Sequence, residues 1–338
     1  MKAKIITIIL LFIALAGCTN QNTELNQPFE PTFTSPATIS EVEFTPGIQQ
    51  TIPVPSQTST EPAIEATVTP EATPLPSSTA TSVPPSETLE SIKPEASIIA
   101  DHTVVEQFDQ IPESALAGAS QIRFMFRGSS IVVNIDFGLD CMWGNFPDRR
   151  PHACSDFYDL KYDRSNWDFQ IRGNPGWLSK VRDFVDQVNT QVDNFKVFGF
   201  LVDYVDGQDG MGYPVISDPE NFRTRFVEPI EALEAQYPDK IFIWSTMSLA
   251  RTGFENEEKF NTLLRQYALE NGKVLFDLAD IESHDPSGSK ATNEMGYEVI
   301  YDGYTNEVHS GHLNEAGSER VAKTIWWLMA RISGWDGQ

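Results

Sequence analysis

The chain has 338 residues, 40% of them hydrophobic, and sets 48 acidic side chains against 24 basic ones, a formal net charge of -24. A polymer so acidic lacks the basic surface that a phosphate backbone requires, which argues against nucleic acid as a partner.

The first stretch, "MKAKIITIILLFIALAGC", has a basic start at Lys2 and Lys4 followed by an apolar run from Ile5 to Ala16. About a dozen apolar residues are too few to span a bilayer, which takes roughly 20; the layout is that of an export signal. Its end, Leu15-Ala16-Gly17-Cys18, resembles the bacterial lipobox. That resemblance implies a signal peptide over 1–18, lipidation of Cys18, and a protein held to a bacterial membrane on its extracytoplasmic side. The other reading is an ordinary signal peptide with an incidental cysteine.

Residues 19–98 are rich in Pro, Ser, Thr and Glu, as in "TPEATPLPSSTATSVPPSETLESIKP". Such a segment cannot bury enough apolar surface to offset its ordering entropy, so a disordered tether is expected. A flexible coil of about 80 residues would reach roughly 50 Å r.m.s., and the prolines would extend it. Residues 99–338 then form one domain, long enough to bury a large core.

Within that domain apolar strands alternate with helices. Strands are expected over 122–128, 167–174, 196–205, 240–247 and 273–280, and helices over 180–192, 221–238, 257–272 and about 314–332. Alternation of this kind predicts a parallel sheet covered on both faces, with functional groups at the carboxyl ends of the strands. Between the first two strands lie Cys141 and Cys154. In an exported chain a disulfide is the expected pairing; a metal pair with His152 is the alternative, disfavoured because no second Cys/His pair stands at ligand spacing.

Two distant stretches carry chemistry. "RGSSIVVNID" places Ser129 and Ser130 after the first strand, where a helix begins. The first free N–H groups and the dipole of a helix can stabilise an oxyanion there, although Ser is also a common N-cap. "HSGHLNEAGSERVAKTIWWLMARISGW" places His309 and His312 just before the last helix. A serine hydroxyl needs an adjacent base, and histidine is the usual one.

Ser130-Ile131-Val132-Val133-Asn134-Ile135 with Gly138-Leu139, the strand and loop "LFDLADIESHDPSG", and the ending "HLNEAG" resemble, in this order, blocks of a divergent branch of the SGNH (GDSL-like) hydrolases. The resemblance spans about 120–335. It implies a flavodoxin-like three-layer α/β/α fold on a five-stranded parallel sheet, and hydrolysis of an ester, such as an acyl group on a carbohydrate. It implies Ser130 as nucleophile, His312 as base, and oxyanion donors from the Ser130 backbone, Gly173 and Asn174, with Asn134 as a further member. No metal and no organic cofactor is implied.

The chain departs from the family at two points. The usual Asp three residues before the base is His309, so the third member falls to His309, Glu307 or Asp302, or to a backbone carbonyl in a Ser-His dyad. The usual Asn after the third strand is replaced by Asp203 and Asp206, whose carboxylates would oppose an oxyanion unless protonated or turned away. "DYVDGQDG" does not follow EF-hand ligand spacing. Loss of these groups leaves a second reading, a surface protein that keeps the fold and binds glycans without efficient catalysis. A third, a metal-binding protein using His309, His312 and nearby acids, is the weakest. Trp177 either lines a cleft or fills the core, and Glu282, His284 and Asp285 occupy a strand-end loop and are candidates for lining the cleft.

Overall fold

Alternation along the strands sends successive side chains to opposite faces of the sheet. The computed structural model describes residues 97–144 and 159–338, so Cys18, Cys154 and nearly all of the expected tether lie outside the described residues. Six strands form one parallel sheet: β1 (Ile99–Ala100), β2 (Phe124–Gly128), β3 (Trp167–Ile171), β4 (Val197–Phe200), β5 (Ile241–Ser245) and β6 (Val274–Phe276). Their spatial order is β1-β6-β5-β4-β2-β3. Omitting β1, this is the flavodoxin-like 2-1-3-4-5 arrangement, with its switch point between β2 and β4.

The sheet therefore has six strands where five are expected. The additional one, β1, is two residues long and pairs Ile99 with Leu275 and Ala100 with Phe276. Two residues carry no readable period. The expected strand 273–280 ends at Phe276 instead, because Asp277 accepts the N–H of Asp280 and starts a short helix, α7 (Leu278–Ser283).

One face is covered by a 3-10 segment (His102–Gln110), α1 (Glu113–Gln121), α2 (Ser130–Trp143) and α8 (Glu315–Ile332). Phe124, Phe126, Ile243 and Phe276 point into this layer beside Ile131, Ile135, Trp326 and Leu328. The other face is covered by α3 (Trp177–Gln191), by α4 (Pro219–Asn221) running through a π turn into α5 (Glu228–Gln236), and by α6 (Glu255–Glu270). Met125, Phe198, Phe242, Trp244 and Leu275 point into that layer. Trp177 is fully buried there and donates its indole N–H to the Pro214 carbonyl at 2.8 Å, so it belongs to the core. Trp326 and Trp327 are also core residues, Trp326 lying 4.4 Å from Trp167 between ring centroids. Among the described residues, no helix is long and apolar enough to cross a membrane. Cys141 on α2 is disulfide-bonded.

The layer that matters most pairs α2 with α8. Gly138 makes the close approach feasible: a Cβ built on it would stand 2.3 Å from the Ser318 carbonyl oxygen. Gly138→Ala must push the two helices apart, and is expected to cost about 1–3 kcal/mol of stability, read as a lower denaturant midpoint with unchanged slope.

Candidate active site

Strand β2 ends at Gly128, where a built Cβ would lie 2.3 Å from Val132 Cγ2. The absence of a side chain lets the chain turn directly into α2 with Val132 packed beneath it. Ser129 occupies the N-cap position, but its hydroxyl does not cap the helix. It donates instead to Asp203 Oδ2 at the end of β4. Ser130 is thus the first residue of a 14-residue helix, exposed, in the turn whose N–H groups lack intrahelical acceptors.

The other half of the site is a tight return of the chain before α8. Thr305 and Leu313 form an antiparallel bridge, and Thr305 Oγ1 donates to the His312 carbonyl at 2.7 Å. Asn314 caps α8 by accepting the Gly317 N–H at 3.1 Å. Gly311 packs so closely that a Cβ would stand 1.9 Å from the Leu249 carbonyl oxygen. Arg251 N–H donates to the Ser310 carbonyl at 2.9 Å. These contacts hold the return against the loop after β5.

The two halves meet at His312. Its Nε2 lies 2.8 Å from Ser130 Oγ, and its Nδ1 lies 2.8 Å from Glu307 Oε1. The His312 backbone N–H also donates to Glu307 Oε2, at 3.0 Å. An ionised carboxylate only accepts, so the Nδ1 side carries the proton and Nε2 presents its lone pair to the serine hydroxyl. Burial alone would raise the Glu307 pKa; the backbone and ring N–H groups of His312 outweigh it and hold the carboxyl below its ordinary range. Tyr204 sets its ring edge-on to the imidazole at 6.2 Å.

The expected third members separate clearly. Glu307 is in place. Asp302 is committed to an ion pair with Arg251. His309 is exposed, and its carbonyl accepts from Thr252 Oγ1 at 3.4 Å. Asn134 has a positioning role besides the expected one: its Oδ1 accepts the Leu313 N–H at 3.1 Å. It ties α2 to the residue following His312, and so acts on the position of the base, while its amide NH2 stays available as a donor. Gly173 and Asn174 lie exposed in the loop after β3. That loop continues the sheet pairing, since Arg172 N–H donates to the Gly128 carbonyl at 2.8 Å, which brings Gly173 alongside the Ser129–Ser130 turn.

Asp203 and Asp206 do not confront the serine as free charges. Both are buried, and both bond Lys180 Nζ, Asp203 Oδ2 at 2.6 Å. The Asp203 N–H donates to Asp206 Oδ2 at 3.1 Å, and Tyr213 donates its hydroxyl to Asp206 Oδ1 at 3.2 Å. Burial outweighs the lysine and raises the Asp206 pKa. Sequence reasoning missed Lys180, which sits one residue in four on an ordinary helical pattern. Glu282 is fully enclosed and accepts the Leu249 N–H at 2.6 Å, so it supports the loop after β5 and does not line a cleft. Asp285 accepts from Ser287 and Ser289 within its own turn.

Among the described residues, one group of potential metal ligands stands together: His102, Asp280 and His284. The two imidazoles stack in parallel at 3.7 Å, with both Nδ1 atoms turned to Asp280. Parallel rings cannot aim their lone pairs at a single ion without rotating. The group lies by β1 and β6, across the sheet from Ser130.

No protein-family model matches the chain, and no curated protein does. Solved structures do. A protein of Bacteroides fragilis described as an acylhydrolase aligns over 68% of this chain and 95% of its own, at 14% identity and TM-score 0.42. A protein of Desulfitobacterium hafniense described as lipolytic, of the G-D-S-L family, aligns over 61% and 99%, at 12% identity and TM-score 0.37. An acetylxylan esterase of Geobacillus stearothermophilus, in a catalytic mutant, aligns over 64% and 96%, at 12% identity and TM-score 0.36.

Two consequences can be measured. Lys180→Met leaves two buried carboxylates without their cation, and should destabilise the domain by about 3–5 kcal/mol in chemical denaturation. Glu307, with its folded pKa depressed, contributes stability that is fully present above its ordinary value of 4.5 and is lost as pH falls through the lower folded value. Thermal unfolding across the acid range should show that acid-side loss in the native protein and a shallower one in Glu307→Gln.

Proposed function

We propose that the domain is an SGNH-type serine hydrolase that cleaves an ester, with Ser130 as nucleophile, His312 as general base and Glu307 as the orienting carboxylate. One observation carries the reading: the unbroken relay Ser130 Oγ–His312 Nε2 and His312 Nδ1–Glu307 Oε1, each link 2.8 Å. A hydroxyl, an imidazole and a carboxylate in that order form the arrangement that activates serine.

The chemistry follows from the positions. Ser130 Oγ attacks the ester carbonyl while its proton passes to His312 Nε2. Glu307 stabilises the imidazolium formed and keeps its ring from turning. The negative charge moves to the former carbonyl oxygen, for which the N–H of Ser130, at the N-terminus of α2, and that of Gly173 are the proposed donors. Asn174 is a candidate side-chain donor on the same loop. Collapse expels the alcohol, which takes the proton from His312. Water, deprotonated by His312, then releases the acid from Ser130. A domain retained only for binding would have no need of the carboxylate behind the histidine.

The substrate proposed is an acyl ester on a carbohydrate polymer. The export-signal pattern of residues 1–18 and the Pro/Ser/Thr-rich segment 19–98 support an extracytoplasmic placement on a lipid anchor at Cys18, with the tether giving the domain reach to a polymer. A fluorophosphonate should label Ser130, located by peptide mass spectrometry, and the label should disappear in His312→Ala. Ser130→Ala should reduce the hydrolysis of short acyl esters by at least about a thousandfold without lowering the melting temperature. A folded, unlabelled native protein would overturn the assignment.

A further inference from the structure

A narrow cleft opens beside the nucleophile on the α3 face of the sheet, lined by Arg127, Gly128, Arg172, Gly173, Lys180 and Asp183. Arg127 is only 5% exposed. Its Nη1 donates to Gln170 Oε1 at 2.5 Å, but among the described residues no carboxylate stands within ion-pair distance of it. None of its remaining nitrogens is both sealed from solvent and unbonded, and the residue itself lines the cleft. Arg172, exposed at the rim, spends one N–H on the Ile171 carbonyl at 3.0 Å.

The charge in this cleft is not balanced by its own walls. Lys180 is already committed to Asp203 and Asp206. Asp183 is the one carboxylate in the lining, and it is half-exposed and 3.6 Å from Arg182. Burial, with Arg172 second, lowers the Arg127 pKa, only partly offset by Asp183 and Asp168. A largely enclosed guanidinium without an anion is costly, and it is conspicuous in a chain of net charge -24. The guanidinium fork matches a carboxylate or phosphate in a bidentate manner.

The cleft adjoins the reacting serine by construction. Gly128 lies two residues before Ser130, so their Cα atoms are at most about 7.6 Å apart. Arg172 and Gly173 belong to the loop that carries the proposed oxyanion donors. We infer that this cleft is a subsite for an anionic group carried by the substrate, most simply a carboxylate, so that the hydrolase prefers acidic esters such as acylated uronic-acid polymers over neutral ones. This rests on the proposed hydrolase function but makes its own claim about charge.

The test compares two nitrophenyl esters of equal length, the hemisuccinate and its methyl-capped neutral counterpart, on the full domain. The native protein should favour the anionic ester in kcat/KM, and the preference should fall at least about tenfold in Arg172→Gln, since a hydrogen bond to a charged group is worth that much or more. Arg127→Gln should lower it further; Arg172 lies at the surface, so its variant keeps the test valid if Arg127→Gln fails to fold. A second readout needs no turnover: free succinate should raise the melting temperature of Ser130→Ala, and less so in Ser130→Ala/Arg172→Gln. Inorganic phosphate in place of succinate separates a site selective for carboxylates from one that takes any small anion, and stabilisation by phosphate alone would overturn the carboxylate assignment. Hydrolysis of both esters at equal efficiency in native and variant proteins, with no stabilisation by succinate, would overturn the subsite and leave the hydrolase standing. Succinate stabilisation without fluorophosphonate labelling would keep the anion site and remove the hydrolase.

Discussion

The close packing of α8 on α2 is the constraint on which the site depends. Ser130 begins one helix and His312 stands just before the other, 182 residues later in the chain. Neither residue could find the other through local structure. Gly138 lets the two helices approach backbone to backbone, and Asn134, one turn after Ser130, clamps the Leu313 N–H. The helix interface thereby fixes the Ser–His distance, while the Thr305–Leu313 return fixes Glu307 behind the imidazole. Precision at the reacting atoms comes from rigid elements and their close contacts, as near-attack geometry requires.

The opposite wall of the site is governed by buried charge. Asp203 and Asp206 stand where a neutral amide donor is expected, at the switch point after β4. The chain answers with Lys180 from α3, which bonds both carboxylates, and with the Ser129 hydroxyl, which bonds Asp203. Burial, with the neighbouring Asp203 charge adding to it, outweighs the lysine and pushes Asp206 toward its neutral form. The network replaces a solvent-facing donor with an internal brace joining β2, β4 and α3. Its cost is the desolvation of three charges, and its return is a fixed serine turn, since Ser129 is the residue next to the nucleophile.

Much of this was legible in the sequence where the period was strong and the elements long. Strands β2 to β6 and helices α3, α6 and α8 lie where apolar spacing predicts them, and Ser130 and His312 fall at an element boundary that the α/β pattern marks. The remainder depended on contacts no period encodes. β1 is two residues long, and α1, "ESALAGASQ", is too poor in large apolar residues to announce a face. Glu307 was one of three candidates because a carboxylate five residues before a histidine has no helical or strand register with it; only the return through Gly311 turns it inward. Nothing in the helical spacing of 180–192 singles out Lys180, and its burial follows from where Asp203 and Asp206 fall in space.

The most direct test of this account is the comparison of kcat/KM for a short acyl ester in Glu307→Gln and His309→Ala. The geometry predicts a loss on the order of a hundredfold to ten-thousandfold in Glu307→Gln, as when the orienting acid of a triad is neutralised, and a change of no more than a few-fold in His309→Ala. Full activity in Glu307→Gln, or a large loss in His309→Ala, would contradict the assignment of Glu307 as the carboxylate behind His312.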